Sequence, residues 1–127
     1  MRSTKTLALI AHDGKKDDMI QFVQKHALFF KHYNLMATGT TAKRLKNVGV
    51  KVKSMLSGPL GGDAQIAALV ATGKCMGVIF FRDPLGMHPH EPDISMLLRI
   101  CEVHNVPLAT NPATAELMIK GISLSKK

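Results

Sequence analysis

The chain of 127 residues is predicted to fold as a single three-layer α/β/α domain around a five-stranded parallel sheet of order 3-2-1-4-5. Three observations carry this prediction. Short apolar or β-branched runs alternate five times with longer segments of helical spacing, the pattern of parallel strands joined by right-handed crossovers. One run, Val78–Phe81, is apolar throughout, as a strand covered on both faces must be. Another, Val50–Leu56, begins by alternating Val50 and Val52 with Lys51 and Lys53, which suits a sheet edge and not a doubly covered centre.

The elements follow in order. Leu7–Ala11 is the first strand; the basic segment before it is followed by too short an apolar run for a signal peptide. A helix over 17–31 opens on Asp17 and Asp18 and carries Met19, Phe22, Val23, Ala27 and Phe30 as its apolar stripe. The second strand is Leu35–Thr38. A helix over 41–48 places Ala42, Leu45 and Val48 at intervals of three and stops at Gly49. After the edge strand, Ser57–Gly62 is glycine-rich and leads into an alanine-rich helix over 63–72, closed by Gly73. The polar loop 82–92 follows the fourth strand and precedes a helix over 93–104, with Asp93 serving at least partly as its N-cap. Val106–Ala109 is the fifth strand, and a last helix is expected from the N-cap Asn111 and Pro112 to a stop at Gly121.

Composition narrows the function classes. With 46% apolar and 20% charged residues the chain is neither disordered nor low in complexity, and at this length it buries a real core without disulfide or metal staples. Cys75 and Cys101 are too few and too far apart for a disulfide framework or a thiolate zinc site, so reduced thiols in a cytoplasmic protein are expected. No run is long enough to span a bilayer, so no membrane partner is expected. The formal charge is +8, and it is unevenly placed. Met19 to Gly62 holds seven basic residues and no acidic ones, whereas the rest of the chain holds ten basic and nine acidic. Nucleic acid is disfavoured as the partner. There is no tryptophan and one tyrosine to stack bases, and no helix-turn-helix, zinc-finger or RNP pattern. A small anionic ligand such as a phosphate ester remains.

Five polar clusters each follow the carboxyl end of a strand and so open onto one rim of the sheet, where open α/β sheets bind ligands. Thr38-Gly39-Thr40-Thr41 bends into a helix N-terminus that suits a phosphate, although it also reads as an ordinary turn with a threonine cap. Neither a Walker A motif nor G-x-G-x-x-G is present. Ser57-Gly58-Pro59-Leu60-Gly61-Gly62-Asp63 is the more specific cluster. Its glycines admit close backbone approach to a ligand, and Asp63 stands where loop becomes helix, as an N-cap or as a general base. His12, Asp13 and Lys16 offer a proton carrier, a carboxylate to orient it and a point charge for phosphate. The loop 82–93 packs Asp83, His88, His90, Glu91 and Asp93 among three prolines; without helical i, i+4 spacing, His88, His90 and Asp93 make a poor metal set, and no metal is expected.

Taken together these clusters resemble the methylglyoxal synthases: A-H-D-x-x-K at Ala11–Lys16, A-T-G-T-T at Ala37–Thr41, S-G-P-L-G-G-D-x-Q-I at Ser57–Ile66, F-F-x-D-P-L at Phe80–Leu85, P-H-E-P-D at Pro89–Asp93 and L-A-T-N at Leu108–Asn111. The resemblance spans nearly the whole chain. It implies a lyase that converts dihydroxyacetone phosphate to methylglyoxal and inorganic phosphate without a cofactor, assembled as a homohexamer and inhibited by phosphate. It implies Asp63 as catalytic base and His12 and His90 as substrate and proton-transfer residues. Lys16, Thr38, Gly39, Thr40, Thr41, Ser57 and Gly58 become phosphate and substrate contacts, with Asp13, Asp83 and Asp93 in support. Arg82 and Gly86-Met87-His88 fall at variable positions of the motif. Domains of the same fold also serve as effector-binding modules, but the pairing of Asp63 with His90 argues for catalysis. Lys43, Arg44, Lys46, Lys51 and Lys53 are then expected to line the edge beside the threonine loop and steer a dianion inward.

Overall fold

The computed structural model describes residues 5–86 and 91–125. Five strands, β1 (Thr6–Ala11), β2 (Asn34–Ala37), β3 (Lys53–Ser54), β4 (Gly77–Phe81) and β5 (Leu108–Ala109), form one sheet of order β3-β2-β1-β4-β5. Every neighbouring pair is parallel, with Leu7 opposite both Leu35 and Gly77. The predicted order and the edge position of the third strand are both found.

Six helices cover the sheet: α1 (Lys16–Lys25), α2 (Ala27–Phe30), α3 (Gly39–Asn47), α4 (Gly62–Ala71), α5 (Glu91–Val103) and α6 (Pro112–Ser125). The period of two along β1 sends Leu7, Leu9 and Ala11 to one face, where they meet Met19, Phe22, Leu45 and Ile119 from α1, α3 and α6. Ala8 and Ile10 face the other way, against Ile66, Val70, Ile94 and Leu97 from α4 and α5. β4 is buried along its whole length, as its unbroken apolar run requires.

Three helices end on the same device. Behind α3, α4 and α5, the residues Gly49 (φ 87°), Gly73 (φ 77°) and Asn105 (φ 55°) take the left-handed conformation, and the next N–H reaches back to the carbonyl of Leu45, Leu69 or Cys101. The first of these ends shortens β3. Because the Val50 N–H closes α3 at 3.0 Å, only Lys53 and Ser54 pair with β2 instead of the whole run from Val50 to Leu56. Other boundaries also shift. The expected helix over 17–31 breaks at His26, whose φ of −111° and ψ of 33° leave the helical region. The helix expected from Thr41 starts at Gly39, with Thr38 as its N-cap. Gly121 does not stop α6, which runs on to Ser125; a side chain there meets open space, so its glycine costs only the propensity term of about 1 kcal/mol.

Candidate functional site

His12 ends β1. Its N–H donates to the Phe81 carbonyl at 3.2 Å, and its ring stands edge-on to Phe80 with centroids 5.1 Å apart. The Asp83 N–H donates to His12 Nδ1 at 2.9 Å. A backbone N–H can only donate, so Nδ1 carries no proton; the ring is neutral and its proton sits on Nε2. One hydrogen bond across the β1–β4 seam thus fixes the tautomer. Asp83 itself turns the chain, its Oδ1 accepting from the Leu85 N–H at 3.1 Å.

The chain then makes a short 3-10 turn over Asp13–Lys15 and enters α1 at Lys16. Lys16 is buried. Its Nζ donates to the Ala11 carbonyl at 2.8 Å and to Asp13 Oδ1 at 2.9 Å. An ammonium has three protons, so one is left for a ligand. Asp13 is almost wholly exposed, and its bond to Lys16 holds the ammonium at the rim.

Thr38 is buried and caps α3 without a side-chain bond to the helix, which leaves first-turn N–H groups unclaimed by the cap. Gly39 spends its N–H on the Leu56 carbonyl at 3.2 Å. A Cβ on Gly39 would lie 3.0 Å from Ser57 Cα and Cβ, so glycine is what lets the threonine turn touch the Ser57 loop. Thr41 is fully enclosed, and its hydroxyl makes no hydrogen bond among the described residues.

Ser57 leads a 3-10 turn over Gly58–Leu60, and Gly61, at φ 106°, swings the chain into α4. A Cβ on Gly62 would fall 1.9 Å from the Leu56 carbonyl oxygen and 2.9 Å from the Thr38 methyl. No side chain fits there, and the start of α4 therefore packs directly on the ends of β2 and β3. Asp63 is the second residue of α4 and not its N-cap, a place held by Gly61, so the capping role open from sequence is not the one it takes. It is completely enclosed yet lines a cavity.

That cavity, of about 280 Å³, lies at the carboxyl edge of the sheet. It brings together His12, Asp13, Lys16, Thr38, Thr40, Ser57, Gly58, Asp63 and Asp83 of the residues singled out from sequence. Gly39 and Thr41 stand in the first turn of α3 behind its wall. Asp93 is the third residue of α5, which begins at Glu91, so it is not the N-cap that its position suggested. His90, and with it His88, lies outside the described residues. Gly14 and Pro59 also line the wall, unassigned from sequence. The signal for Gly14 was its glycine within A-H-D-x-x-K: a Cβ there would approach Asp83 Oδ2 to 3.2 Å. Among the described residues no group of three or more His, Cys, Asp or Glu is placed to hold a metal ion, and no helix is long and apolar enough to cross a membrane.

The five buried polar or charged side chains among the described residues are His12, Lys16, Thr38, Thr41 and Asp63. All five belong to this one corner. Buried polar groups cost free energy unless matched, so their collection here marks a surface shaped for an anionic, oxygen-rich ligand.

Comparison with known proteins agrees. The MGS-like domain family matches residues 18–110. Methylglyoxal synthase of Carboxydothermus hydrogenoformans is 58% identical over 118 residues, covering 92% of this chain and 98% of that protein. That of Ralstonia nicotianae is 54% identical over 127 residues, covering 99% and 94%. The crystal structure of methylglyoxal synthase from Elizabethkingia anophelis superposes with a TM-score of 0.86 at 47% identity, over 91% of this chain and 77% of that one. The family match, the sequence identity over nearly the whole chain and the shared fold place this chain in the methylglyoxal synthase family.

Proposed function

We propose that the cavity at the carboxyl edge carries out the reaction of this lyase family, the conversion of dihydroxyacetone phosphate to methylglyoxal and inorganic phosphate, with Asp63 as its base. The observation that carries the reading is the complete enclosure of Asp63 in a wall that also holds the donors His12, Thr38 and Ser57 and the cation Lys16. Two further carboxylates line that wall, Asp13 partnered by the Lys16 ammonium and Asp83 by the Leu85 N–H. The phosphate sits against the first turn of α3 and the Ser57–Gly58 turn, within reach of the remaining Lys16 proton. Asp63 takes a proton from the hydroxymethyl carbon. The ketone oxygen gathers the charge of an enediolate and accepts a hydrogen bond from His12 Nε2, which the Asp83 N–H keeps in the donating tautomer.

Elimination then breaks the C–O bond to phosphate. The electron pair of the enediolate double bond moves to the carbon that loses phosphate, the hydroxyl on the deprotonated carbon becomes the aldehyde, and its proton leaves with the phosphate. The resulting enolate takes one proton at its terminal carbon, the one freed from phosphate, to become methylglyoxal, which balances the proton that Asp63 removed. His90 is the further proton carrier, on the strength of its place in P-H-E-P-D. Asp13 and Asp83 support Lys16 and His12, and Asp93, on α5, is the third supporting carboxylate that the resemblance implies.

Residues 1–127 act as one such domain, in the cytoplasm and as a homohexamer that phosphate inhibits, as the family resemblance implies. The exposed Leu28, Leu60, Leu85, Leu117 and Leu124 give copies of the chain apolar surface to bury. The reading is tested by mixing purified protein with dihydroxyacetone phosphate and following methylglyoxal and phosphate together. Equimolar release supports it. Phosphate binding without product would make the chain an effector-binding module of the same fold.

A further inference from the structure

Gln65 lies within S-G-P-L-G-G-D-x-Q-I but outside the cavity wall, exposed on the first turn of α4. Its Oε1 accepts the Leu56 N–H at 2.7 Å. Leu56 is the residue just before Ser57, beyond the two-residue β3, where ladder pairing has run out. The next two peptides are also held, since the Leu56 carbonyl accepts the Gly39 N–H at 3.2 Å and the Ser57 carbonyl accepts the Gly62 N–H at 2.9 Å. We propose that Gln65 is a positioning residue, which ties the Ser57–Gly58 phosphate turn to the helix that carries Asp63 and so sets the spacing between phosphate seat and base.

The physical case is one of missing alternatives. An edge strand of two residues gives Leu56 no sheet partner for its N–H, and water is the only other acceptor at an exposed position. A water-bound N–H would leave the turn free to shift against α4; the glutamine oxygen binds it to the same helical turn as Asp63. The bond needs a side-chain oxygen acceptor of this length, charged or not. Glutamate supplies one, and alanine keeps the helix but supplies none.

The proposal rests on the reading of Ser57–Gly58 as a phosphate contact, and the test keeps the two apart. Gln65→Ala should raise both the KM for dihydroxyacetone phosphate and the Kd for inorganic phosphate by about tenfold, with a smaller fall in kcat, and Gln65→Glu should restore both to within about twofold of the parent. Hydrogen exchange read by NMR supplies a measurement that needs no variant to fold: the Leu56 amide should be protected in the parent, and in Gln65→Glu but not in Gln65→Ala. Loss of protection in Gln65→Ala with KM and phosphate Kd unchanged would overturn the positioning role, as would an unprotected Leu56 amide in the parent. Ser57→Ala decides the underlying reading. If it leaves phosphate affinity unchanged, the seat is misassigned; if it weakens phosphate while Gln65→Ala does not, only the role of Gln65 fails.

Discussion

Two hollows open at the carboxyl edge of this sheet, one on each side of the His12–Asp83 contact. The first, about 280 Å³, is walled by the end of β1 and the turn after it, the start of α3, the Ser57–Pro59 turn, Asp63 of α4 and Asp83; the second, about 460 Å³, by Lys15, Phe81, Arg82, Pro84, Thr110, Asn111 and Pro112. The second is larger, carries two cations and abuts a helix start. Its groups are nonetheless already engaged or open to water. Asn111 Oδ1 caps α6 through the Thr114 N–H at 2.9 Å, and Arg82 stands 3.9 Å from Glu91. None of its polar or charged side chains is buried, whereas the first hollow and the turn behind it hold every buried polar side chain of the described residues. Size and charge are poor guides to a site; enclosure of costly groups is the better one.

Substitutions on the two sides should therefore behave differently, and the largest effect belongs to Asp63. Asp63→Asn keeps shape but removes the basic lone pair, and should lower kcat by about three orders of magnitude while inorganic phosphate still binds. Steady-state kinetics with a phosphate titration checks this, and substantial residual kcat assigns the base elsewhere. Lys16→Ala removes a buried cation from the same wall and should raise KM by about ten- to a hundredfold, the scale of a charge-assisted hydrogen bond. An unchanged KM takes Lys16 out of the phosphate site.

Across the divide, Asn111→Ala should cost about 1 kcal/mol of stability through the lost cap, read as a lower Tm, with kcat and KM unmoved. A kinetic effect there would erase the distinction between the hollows. The smallest effect lies far from both. Hydrogen bonds from His26 and Lys25 hold the Glu116 carboxyl below its usual range, at 2.9 and 3.0 Å. A folded-state value below the unfolded one stabilises the protein above the ordinary glutamate range and loses that contribution as the pH falls through the folded value. Glu116→Gln should consequently lower Tm slightly on the neutral side, leave it nearly unchanged once the pH is below the folded value, and so flatten the acid limb of the Tm–pH curve.

The architecture was legible because its signals are local and strong. Apolar Val78–Phe81 and the Val–Lys alternation at 50–53 gave the centre and the edge of the sheet, and the glycines at 49 and 73 gave helix ends. What misled were residues whose role depends on distant partners. Val50 looked like strand, but its N–H closes α3; Gly121 looked like a stop, but nothing crowds it and the helix continues. Asp63 and Asp93 both looked like caps because carboxylates at helix starts usually are, and only the backbone shows that α4 begins at Gly62 and α5 at Glu91. Most candidate site residues converge as their motif order suggested. The basic third of the chain is partly spent within the fold. Arg44 pairs with Asp17 and Lys46 donates to Ser54, while Lys43 on α3, Lys51 just before β3 and Lys53 within it remain exposed. Charge totals cannot reveal such pairing. Cys75 and Cys101, by contrast, follow their apolar context: burial pushes both thiols up to about 11, so they stay protonated and unreactive near neutral pH.

The claim that everything else depends on is where the substrate sits. A crystal structure with 2-phosphoglycolate, whose carboxylate stands in for the enediolate and whose phosphate matches that of the substrate, tests it most directly. The account predicts phosphate against the first turn of α3, Gly58 and Lys16, with the carboxylate facing His12 and the Asp63 side of the wall. Phosphate seated instead between Lys15, Arg82 and the start of α6 would contradict it.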